Sequence, residues 1–245
     1  MNDKLTVCWL SAGVSSFVAG YLIKDEIDKF IYIDIDDQHP DSMRFIKDCE
    51  KVLKKPIEIL KSPYCSVENA CRAASFINSP HGAKCTQALK KRVRQIWEQQ
   101  NIGTLLTYVW GFDCNEKKRA DRLLETMIMQ DHRFPLIENN LTKEDAHAIC
   151  ERLSIKRPAM YDLGYNNNNC IGCVKGGMGY WNKIRVDFPD VFEKRAKMER
   201  DIGASCIKGI YLDELEPDRG RMSDEIMQEC SIFCQLALDD VGDEE

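Results

Sequence analysis

The segment Leu5-Thr6-Val7-Cys8-Trp9-Leu10-Ser11-Ala12-Gly13-Val14-Ser15-Ser16 decides the fold of this chain. Its first half is a continuous apolar and β-branched run, which is typical of a strand buried on both faces of a parallel sheet. Its second half is a turn of small residues, and helical spacing follows from Phe17 to Lys24. Because a second buried strand comes next at Phe30–Ile33, the pattern predicts a strand–helix–strand unit within about thirty-five residues.

The same alternation continues along the chain. Helical spacing covers Met43–Leu53, Ala88–Gln99, Glu116–Met129 and Thr142–Leu153, and strand-like runs lie at Ile57–Leu60 and Thr104–Val109. This order predicts an α/β fold with a doubly wound, mostly parallel sheet of the Rossmann-like type over residues 1–157. Later residues include four consecutive asparagines, two closely spaced cysteines and a glycine cluster. We therefore expect residues 158–245 to form a loop-rich, cysteine-containing helical subdomain that packs on the first domain.

The composition limits the class of protein. The 245 residues contain no apolar run near the ~20 residues needed to cross a bilayer, and the N-terminus lacks the features of a secretory signal. We expect a cytoplasmic protein without a membrane partner. Twelve cysteines in such a chain indicate metal binding, redox chemistry or burial rather than disulfides. The net charge is −6, yet the middle of the chain is basic, which suits a phosphate-bearing ligand and is compatible with nucleic acid without requiring it.

Residues Ser11–Ser16, which we call the phosphate loop, lie where the first strand ends and the first helix begins. Open α/β sheets bind ligands at this place. Gly13 lets the backbone approach an anion, and the amides at the start of the helix point toward it. The hydroxyls of Ser11, Ser15 and Ser16 add further donors. The segment therefore predicts a site for phosphate groups.

Four segments in chain order resemble the phosphoadenosine phosphosulfate (PAPS) reductase family of the ATP pyrophosphatase, or PP-loop, superfamily. The SxGxxS pattern of the phosphate loop is similar to the modified P-loop of that superfamily. The other similar segments are Asp34 with Pro40-Asp41-Ser42, then Cys85–Lys90, then Gly111 with Glu116 and Arg119. Asp113 stands where the family has arginine, and Ser15 stands where ATP pyrophosphatases have aspartate. With Cys173 included, the resemblance covers roughly two-thirds of the chain.

The resemblance implies an enzyme that binds ATP or a related adenylate and carries out sulfur-related or adenylyl transfer. The phosphates would lie on the phosphate loop and the base near Asp34. The nucleotide site would be completed by the backbone at Gly111 and by the cations Lys84, Lys90 and Arg119. If ATP is cleaved, Mg²⁺ would be bound by carboxylates such as Asp36, Asp37 or Asp113, and Asp36 is our candidate among them for a catalytic role.

The segment Cys170-Ile171-Gly172-Cys173 has the spacing with which two thiolates bind one metal ion or cluster from a tight turn. The resemblance adds Cys85 as a third ligand, because a cysteine of that segment meets a later CxxC in the family. The fourth position would be filled by Cys234 or Cys230, or would stay open. Spacing does not separate zinc from a [4Fe-4S] cluster, and the resemblance favours the cluster.

The segment Glu229-Cys230-Ser231-Ile232 resembles the tail that carries the nucleophile of sulfonucleotide reductases. Cys230 is therefore a second catalytic candidate, and three functions stay open. The first is a transferase that uses a nucleotide and a sulfur donor beside a cysteine-bound cluster. The second is a reductase in which Cys230 attacks the sulfur of PAPS or its unphosphorylated analogue APS, and a thiol reductant regenerates it. The third is a nucleotide- or nucleic-acid-binding module without catalysis.

Overall fold

The computed structural model describes residues 4–79, 82–225, 227 and 230. Its strands are β1 (Lys4–Leu10), β2 (Lys29–Asp34), β3 (Ile57–Lys61), β4 (Asn78–Ser79), β5 (Gly82–Ala83), β6 (Leu105–Val109) and β7 (Asp131–Arg133). Its helices are α1 (Val14–Leu22), α2 (Asp41–Leu53), α3 (Val67–Ala74), α4 (Lys84–Thr86), α5 (Arg92–Gln100), α6 (Lys117–Thr126), α7 (Pro135–Glu138), α8 (Lys143–Arg152), α9 (Ala159–Asp162), α10 (Met178–Asp187) and α11 (Pro189–Ile202). The π-helical segment Gln87–Lys91 joins α4 to α5.

The main sheet has five parallel strands in the order β3-β2-β1-β6-β7. The chain first moves outward from β1 to β3, and it then returns to the other side of β1 with β6. The strand order therefore reverses between β1 and β6. In open sheets of this kind the carboxyl ends of the two strands at the reversal leave a crevice between them. The phosphate loop follows β1 directly, so it lies at this crevice.

Helices cover both faces of the sheet, which confirms the predicted doubly wound α/β fold. Along β1, Val7 and Trp9 belong to the hydrophobic cluster that also contains residues of α5, whereas Cys8 and Leu10 belong to the cluster that contains residues of α1 and α2. Successive side chains of a strand point to opposite faces, so burial on both faces explains the unbroken apolar run.

The helices α10 and α11 pack into the same core as the sheet. Trp181 and Met198 are fully buried in the cluster that contains Val7 and Trp9 of β1. The helix α11 begins at Pro189, whose fixed φ suits a first turn, and it ends at Ile202, after which Gly203 adopts a left-handed backbone with φ 75°. Among the described residues, no helix is long and apolar enough to span a membrane.

Candidate functional site

Two serines hold the phosphate loop in shape. The hydroxyls of Ser11 and Ser16 are 2.8 Å apart, Ser16 Oγ donates to Gly13 O at 3.0 Å, and the Gly13 amide donates to Ser11 Oγ at 3.2 Å. Gly13 is the N-cap of α1 and offers no side chain to accept the first amides of the helix. The Val14 amide donates to Tyr161 Oη at 3.4 Å. The positive end of the helix dipole lies beside the crevice, which suits an anion.

A buried asparagine that is not part of the phosphate loop holds the loop in shape by a hydrogen bond. Ala12 has a left-handed backbone with φ 61°, which is uncommon for a residue with a Cβ atom. Asn168 Nδ2 donates to Ala12 O at 2.8 Å and to Ser42 Oγ, at the start of α2, at 3.0 Å. Asn168 is only 4% exposed. The asparagine run predicts a turn, and in the structure its side chains also tie that turn to the phosphate loop.

A cleft opens beside the phosphate loop, at the point where the strand order reverses. Ser11 and Ser16 line one side of the cleft. Gly111, which follows β6, packs against the loop from the other strand. A Cβ atom on Gly111 would lie 2.5 Å from both Cα and N of Ser16, so a larger residue would push the two segments apart. Glycine at this position is therefore a packing requirement.

Two buried cations line the cleft. Lys90 is 6% exposed and Arg119 is 8% exposed. Arg119 Nη1 donates to Glu116 Oε1 at 2.7 Å, and the guanidinium carbon lies 4.3 Å from the centre of the Phe112 ring. Because an ion pair and an aromatic ring both fix Arg119, its guanidinium is held in place before any ligand arrives. Both cations can neutralise phosphate oxygens at low cost in reorganisation.

Aromatic side chains form the other walls of the cleft. Trp9, Tyr32, Trp110 and Phe112 all line it. The rings of Trp110 and Phe112 stack with centroids 6.0 Å apart, and Trp110 Nε1 donates to His132 Nδ1 at 3.0 Å. Flat apolar walls next to fixed cations suit a ligand with both a ring and phosphate groups. Sequence reasoning misses Trp9, Tyr32 and Phe112 as site residues, because they also fit the pattern of ordinary core positions.

The π-helical segment Gln87–Lys91 affects the placement of Lys90. Cys85 and Lys90 are five positions apart, which would place them about 140° apart around an α-helix with 3.6 residues per turn. A π turn is closed by bonds between residues five apart, so it reduces this separation. One helical segment therefore directs a thiol toward the cysteines and a cation into the cleft. π turns occur frequently at functional sites.

A buried ion pair clamps the CxxC turn. Arg195 pairs with Asp37 through Nη2 and Oδ1, and Arg195 Nε also donates to Gly172 O at 3.2 Å. The Ile171 amide donates to Asp37 O at 2.8 Å. On the other side, Tyr180 Oη donates to Cys170 O at 3.1 Å. The turn between the two cysteines is thus fixed by Asp37, which follows β2, by Tyr180 of α10 and by Arg195 of α11.

Four thiols lie in one region around this turn. Burial, together with a smaller effect of the nearby Cys230, raises the pKa of Cys173 to about 11. Burial is also the main cause that raises the pKa of Cys85 and Cys170, and Cys173 and Cys230 add to the shift at each of them. Lys90 opposes these shifts at Cys170 and Cys173. The thiols are therefore close enough to interact, and they hold their protons unless a cation stabilises the thiolates.

Within the described part of the chain, no three His, Cys, Asp or Glu side chains lie close enough together to bind one metal ion. Cys85, Cys170 and Cys173 share a buried region without forming such a set. Cys234, the expected fourth ligand, lies outside the described residues.

Hydrogen bonds place the backbone of Cys230 at the cleft. The Cys230 amide donates to Asn169 Oδ1 at 2.8 Å, and Lys90 Nζ donates to Cys230 O. Earlier in the chain, the Glu225 carboxylate accepts from the amides of Gly177 at 2.9 Å and Gly179 at 2.8 Å, at the start of α10. An acid at a helix N-terminus is favourable, so Glu225 anchors the chain shortly before Cys230.

The cleft brings together six residues of the predicted site, which are Ser11, Ser16, Lys90, Gly111, Arg119 and Cys230. Gly13 and Ser15 belong to the phosphate loop but do not line the cleft. Asp34 pairs with Lys61, at 3.5 Å between Oδ2 and Nζ. Lys84 lies in a separate groove, where it donates to Gln87 Oε1 at 3.2 Å.

The carboxylates expected near a Mg²⁺ ion are used in other ways. Asp36 is exposed and pairs with Lys61 at 2.6 Å, outside the lining of the cleft. Asp37 holds Arg195 and accepts from the Val67 amide at 2.6 Å. Asp113 forms a capping box with Glu116 before α6, and burial raises its pKa. The structure does not bring these three carboxylates together at the phosphate loop.

Comparison with known proteins does not assign the chain. It matches no protein-family model and no curated protein. The geometry of the cleft and of the cysteine region therefore carries the argument about function.

Proposed function

We propose that this chain is an enzyme of the PAPS reductase type that binds an adenine nucleotide in the cleft and transfers an adenylyl or sulfur-containing group beside the cysteines. One observation carries the proposal: Cys230 lines the same cleft as Ser11 and Ser16 of the phosphate loop and the cations Lys90 and Arg119. A phosphate site alone would suit many proteins. A phosphate site next to a thiol region suits sulfur chemistry on a nucleotide.

The nucleotide assignment is supported by the position and lining of the cleft. It lies at the reversal of strand order, where α/β sheets of this class bind nucleotides. The phosphate loop and the two cations suit the phosphates, and Trp110 and Phe112 offer flat surfaces for a base or ribose. We assign the loop to the PP-loop type and residues beyond 158 to a cysteine-containing subdomain as part of this proposal.

In the adenylyl reaction, an oxygen of the acceptor attacks the α-phosphorus of ATP while the bond to pyrophosphate breaks. Negative charge grows on the leaving pyrophosphate. Lys90 and Arg119 are buried and fixed, so they stabilise this charge without reorganising. Mg²⁺, if it takes part, would enter with the nucleotide phosphates, because the protein carboxylates near the loop are already engaged.

The cysteine region offers the thiol donors that a soft metal prefers, although within the described residues these side chains would have to move closer together to form one site. Cys85, Cys170 and Cys173 would hold a [4Fe-4S] cluster or zinc, with Cys230 or Cys234 as a fourth ligand. Metal binding would release the protons that these buried thiols otherwise keep. When bound, a cluster would supply a centre for sulfur or electron transfer. The clamp formed by Asp37 and Arg195 would keep the CxxC turn in place for it.

The test combines metal analysis with product analysis. Protein purified without oxygen should contain iron and sulfide, and with ATP and Mg²⁺ it should release pyrophosphate or AMP in the presence of the acceptor or a sulfur donor. Lys90→Met and Arg119→Met should each lower the rate by at least ~10²-fold, because each removes a fixed charge at the phosphates. Lys118→Met, an exposed neighbour of Arg119, is the matched control and should keep the rate. Absence of both products under every reductant would overturn the transferase assignment.

A second function is favoured by the same position of Cys230. In a sulfonucleotide reductase its thiolate would attack the sulfur of PAPS or APS, the S–O bond to the nucleotide would break, and a thiol reductant would release sulfite by forming a disulfide. Cys230→Ser would then abolish sulfite release and leave the metal content unchanged. If Cys230→Ser instead loses the metal, Cys230 is a ligand and the transferase is favoured.

A further inference from the structure

A second groove lies on the outer side of the segment that carries Cys85 and Lys90. It runs between α3 and the helical segment Lys84–Gln100 and encloses about 820 Å³, open solvent included. Its polar lining consists of Tyr64, Lys84, Gln87, Arg92 and Gln95, and four alanines complete it. We call it the outer groove. No carboxylate lines it among the described residues.

The charge around the outer groove opposes that of the whole chain. The net charge is −6, yet no Asp or Glu occurs between Glu68 and Glu98, whereas six Lys and Arg residues do. Some arginines elsewhere are matched by acids, for example Arg133 with Glu138 and Arg200 with Asp213. A local excess of positive charge on an acidic protein attracts polyanions specifically to that place.

Three of these six cations have no carboxylate partner among the described residues. Within the described ranges, Lys84, Lys91 and Arg92 form no ion pair, although Arg72 in α3 and Arg94 in α5 do. Arg92 is exposed, and Lys84 and Lys91 are half-buried. Unmatched cations on one helical segment provide points at which successive phosphates can bind.

We propose that the outer groove binds a single-stranded nucleic acid, and that this nucleic acid is the acceptor in the reaction proposed above, on which this second part rests. Lys84 and Arg92 would bind backbone phosphates, and Lys91, the neighbour of Arg92 in the chain, would bind a third phosphate at the edge of the groove. The amides of Gln87 and Gln95 would bond to sugar or base edges. The half-buried ring of Tyr64 offers a surface on which a base can stack. The alanines leave room for bases and sugars.

The lining favours nucleic acid over other polyanions. An acidic protein partner would need several large apolar or aromatic anchors, whereas the groove has one aromatic residue, Tyr64, and four alanines. A membrane surface would need large apolar residues in the lining, which consists of alanines, one tyrosine and polar side chains. The cleft and the outer groove also share one helical segment, so a strand in the groove lies next to the elements that contribute Cys85 and Lys90 to the site.

Binding of fluorescein-labelled single-stranded DNA and RNA of about 15 nucleotides tests the proposal by fluorescence anisotropy, without any nucleotide present. The variant Lys84→Gln, Lys91→Gln, Arg92→Gln should bind on the order of 10-fold more weakly at ~0.1 M salt. Three lost phosphate contacts should also reduce the slope of log affinity against log salt by about 2. The matched control changes the three exposed lysines at and after α2, Lys47, Lys51 and Lys54, to Gln. Because α2 packs on the opposite face of the sheet, this control should bind like the wild type.

A second variant separates stacking from charge. Tyr64→Leu should weaken binding while leaving the salt slope unchanged, because it removes a base-stacking surface and no charge. Equal affinity of the wild type and the triple variant, or equal displacement of the oligonucleotide by polyglutamate of the same charge, would overturn the proposal. If the wild type releases pyrophosphate but binds no oligonucleotide, this inference is refuted and the proposed enzyme function is not. If the wild type binds the oligonucleotide but releases neither pyrophosphate nor AMP, the proposed enzyme function and the acceptor role are refuted. The outer groove would then remain a binding site for nucleic acid.

Discussion

Asn168→Asp is the substitution that tests most directly how the phosphate loop is held. The change keeps the size of the side chain, so it opens no cavity. It removes the NH₂ group that donates to Ala12 O at 2.8 Å and to Ser42 Oγ at 3.0 Å. The Ser42 hydroxyl can rotate and donate to the new carboxylate. The Ala12 carbonyl cannot, and it is left facing a buried negative charge.

The expected loss follows from these contacts. A buried acceptor without a donor costs about 1–3 kcal/mol, and the nearby carboxylate adds to this. We expect Asn168→Asp to lower the free energy of unfolding by about 2–3 kcal/mol near neutral pH. For a chain of this length that corresponds to a fall of roughly 5–10 °C in Tm. ATP binding should weaken as well, because the Ala12 peptide keeps its left-handed backbone through this hydrogen bond.

The stability of the Asn168→Asp variant should depend on pH, and the direction follows from the pKa of the introduced carboxyl group. Burial and the facing carbonyl would raise the pKa of the introduced carboxyl group in the folded variant above the value of ~3.9 in the unfolded chain. The protonated acid can donate to Ala12 O, so the variant recovers stability at low pH and loses it as the pH rises through the folded pKa. Thermal melts from about pH 5 to 8 measure this. The exposed neighbour Asn166→Asp is the control and should stay within about 0.5 kcal/mol of the wild type. Equal melting of the two variants, or a pH-independent loss, would refute the reasoning.

Three further predictions concern the Asp37–Arg195 ion pair at the CxxC turn, the close approach of Gly111 to the phosphate loop, and Asp41 at the start of α2. Arg195→Met leaves Asp37 buried without its cation, so urea denaturation should show a loss of about 3–5 kcal/mol, and Arg195→Met with Asp37→Asn should recover part of it. Gly111→Ala should lose about 1–3 kcal/mol of stability and bind ATP more weakly in calorimetry, because its Cβ would overlap the backbone of the phosphate loop. The hydrogen bonds from Arg44 lower the pKa of Asp41, so that pair stabilises the fold above the unfolded pKa and stops doing so as the pH falls through the folded value, below 3.8. Asp41→Asn should therefore lose about 1 kcal/mol at neutral pH in urea titrations, and its difference from the wild type should vanish in acid.

The sequence by itself determined four of the five strands of the main sheet and the position of the phosphate loop. The apolar run of β1 and the small residues after it are local signals, since burial on both faces requires unbroken apolar side chains and a turn at a helix start requires small ones. The predicted helix at Thr142 begins with a capping box between Thr142 and Asp145, a local arrangement that depends on residues three positions apart. The strand β7 carries no such signal, because Asp131-His132-Arg133 is polar and its pairing with β6 depends on distant residues.

Only the tertiary structure decided which of the predicted site residues meet. Lys84 and Lys90 look alike in the sequence, but Lys90, within the π-helical segment Gln87–Lys91, lines the cleft, whereas Lys84 lines the outer groove. The asparagine run predicts a turn, but not its distant hydrogen bonds. The Asn168 side chain donates to Ala12 O and Ser42 Oγ, and the Asn169 side chain accepts from the Cys230 amide. Local composition sets which elements form. The contacts between residues far apart in the chain, set by how those elements pack, place each side chain at the site or away from it.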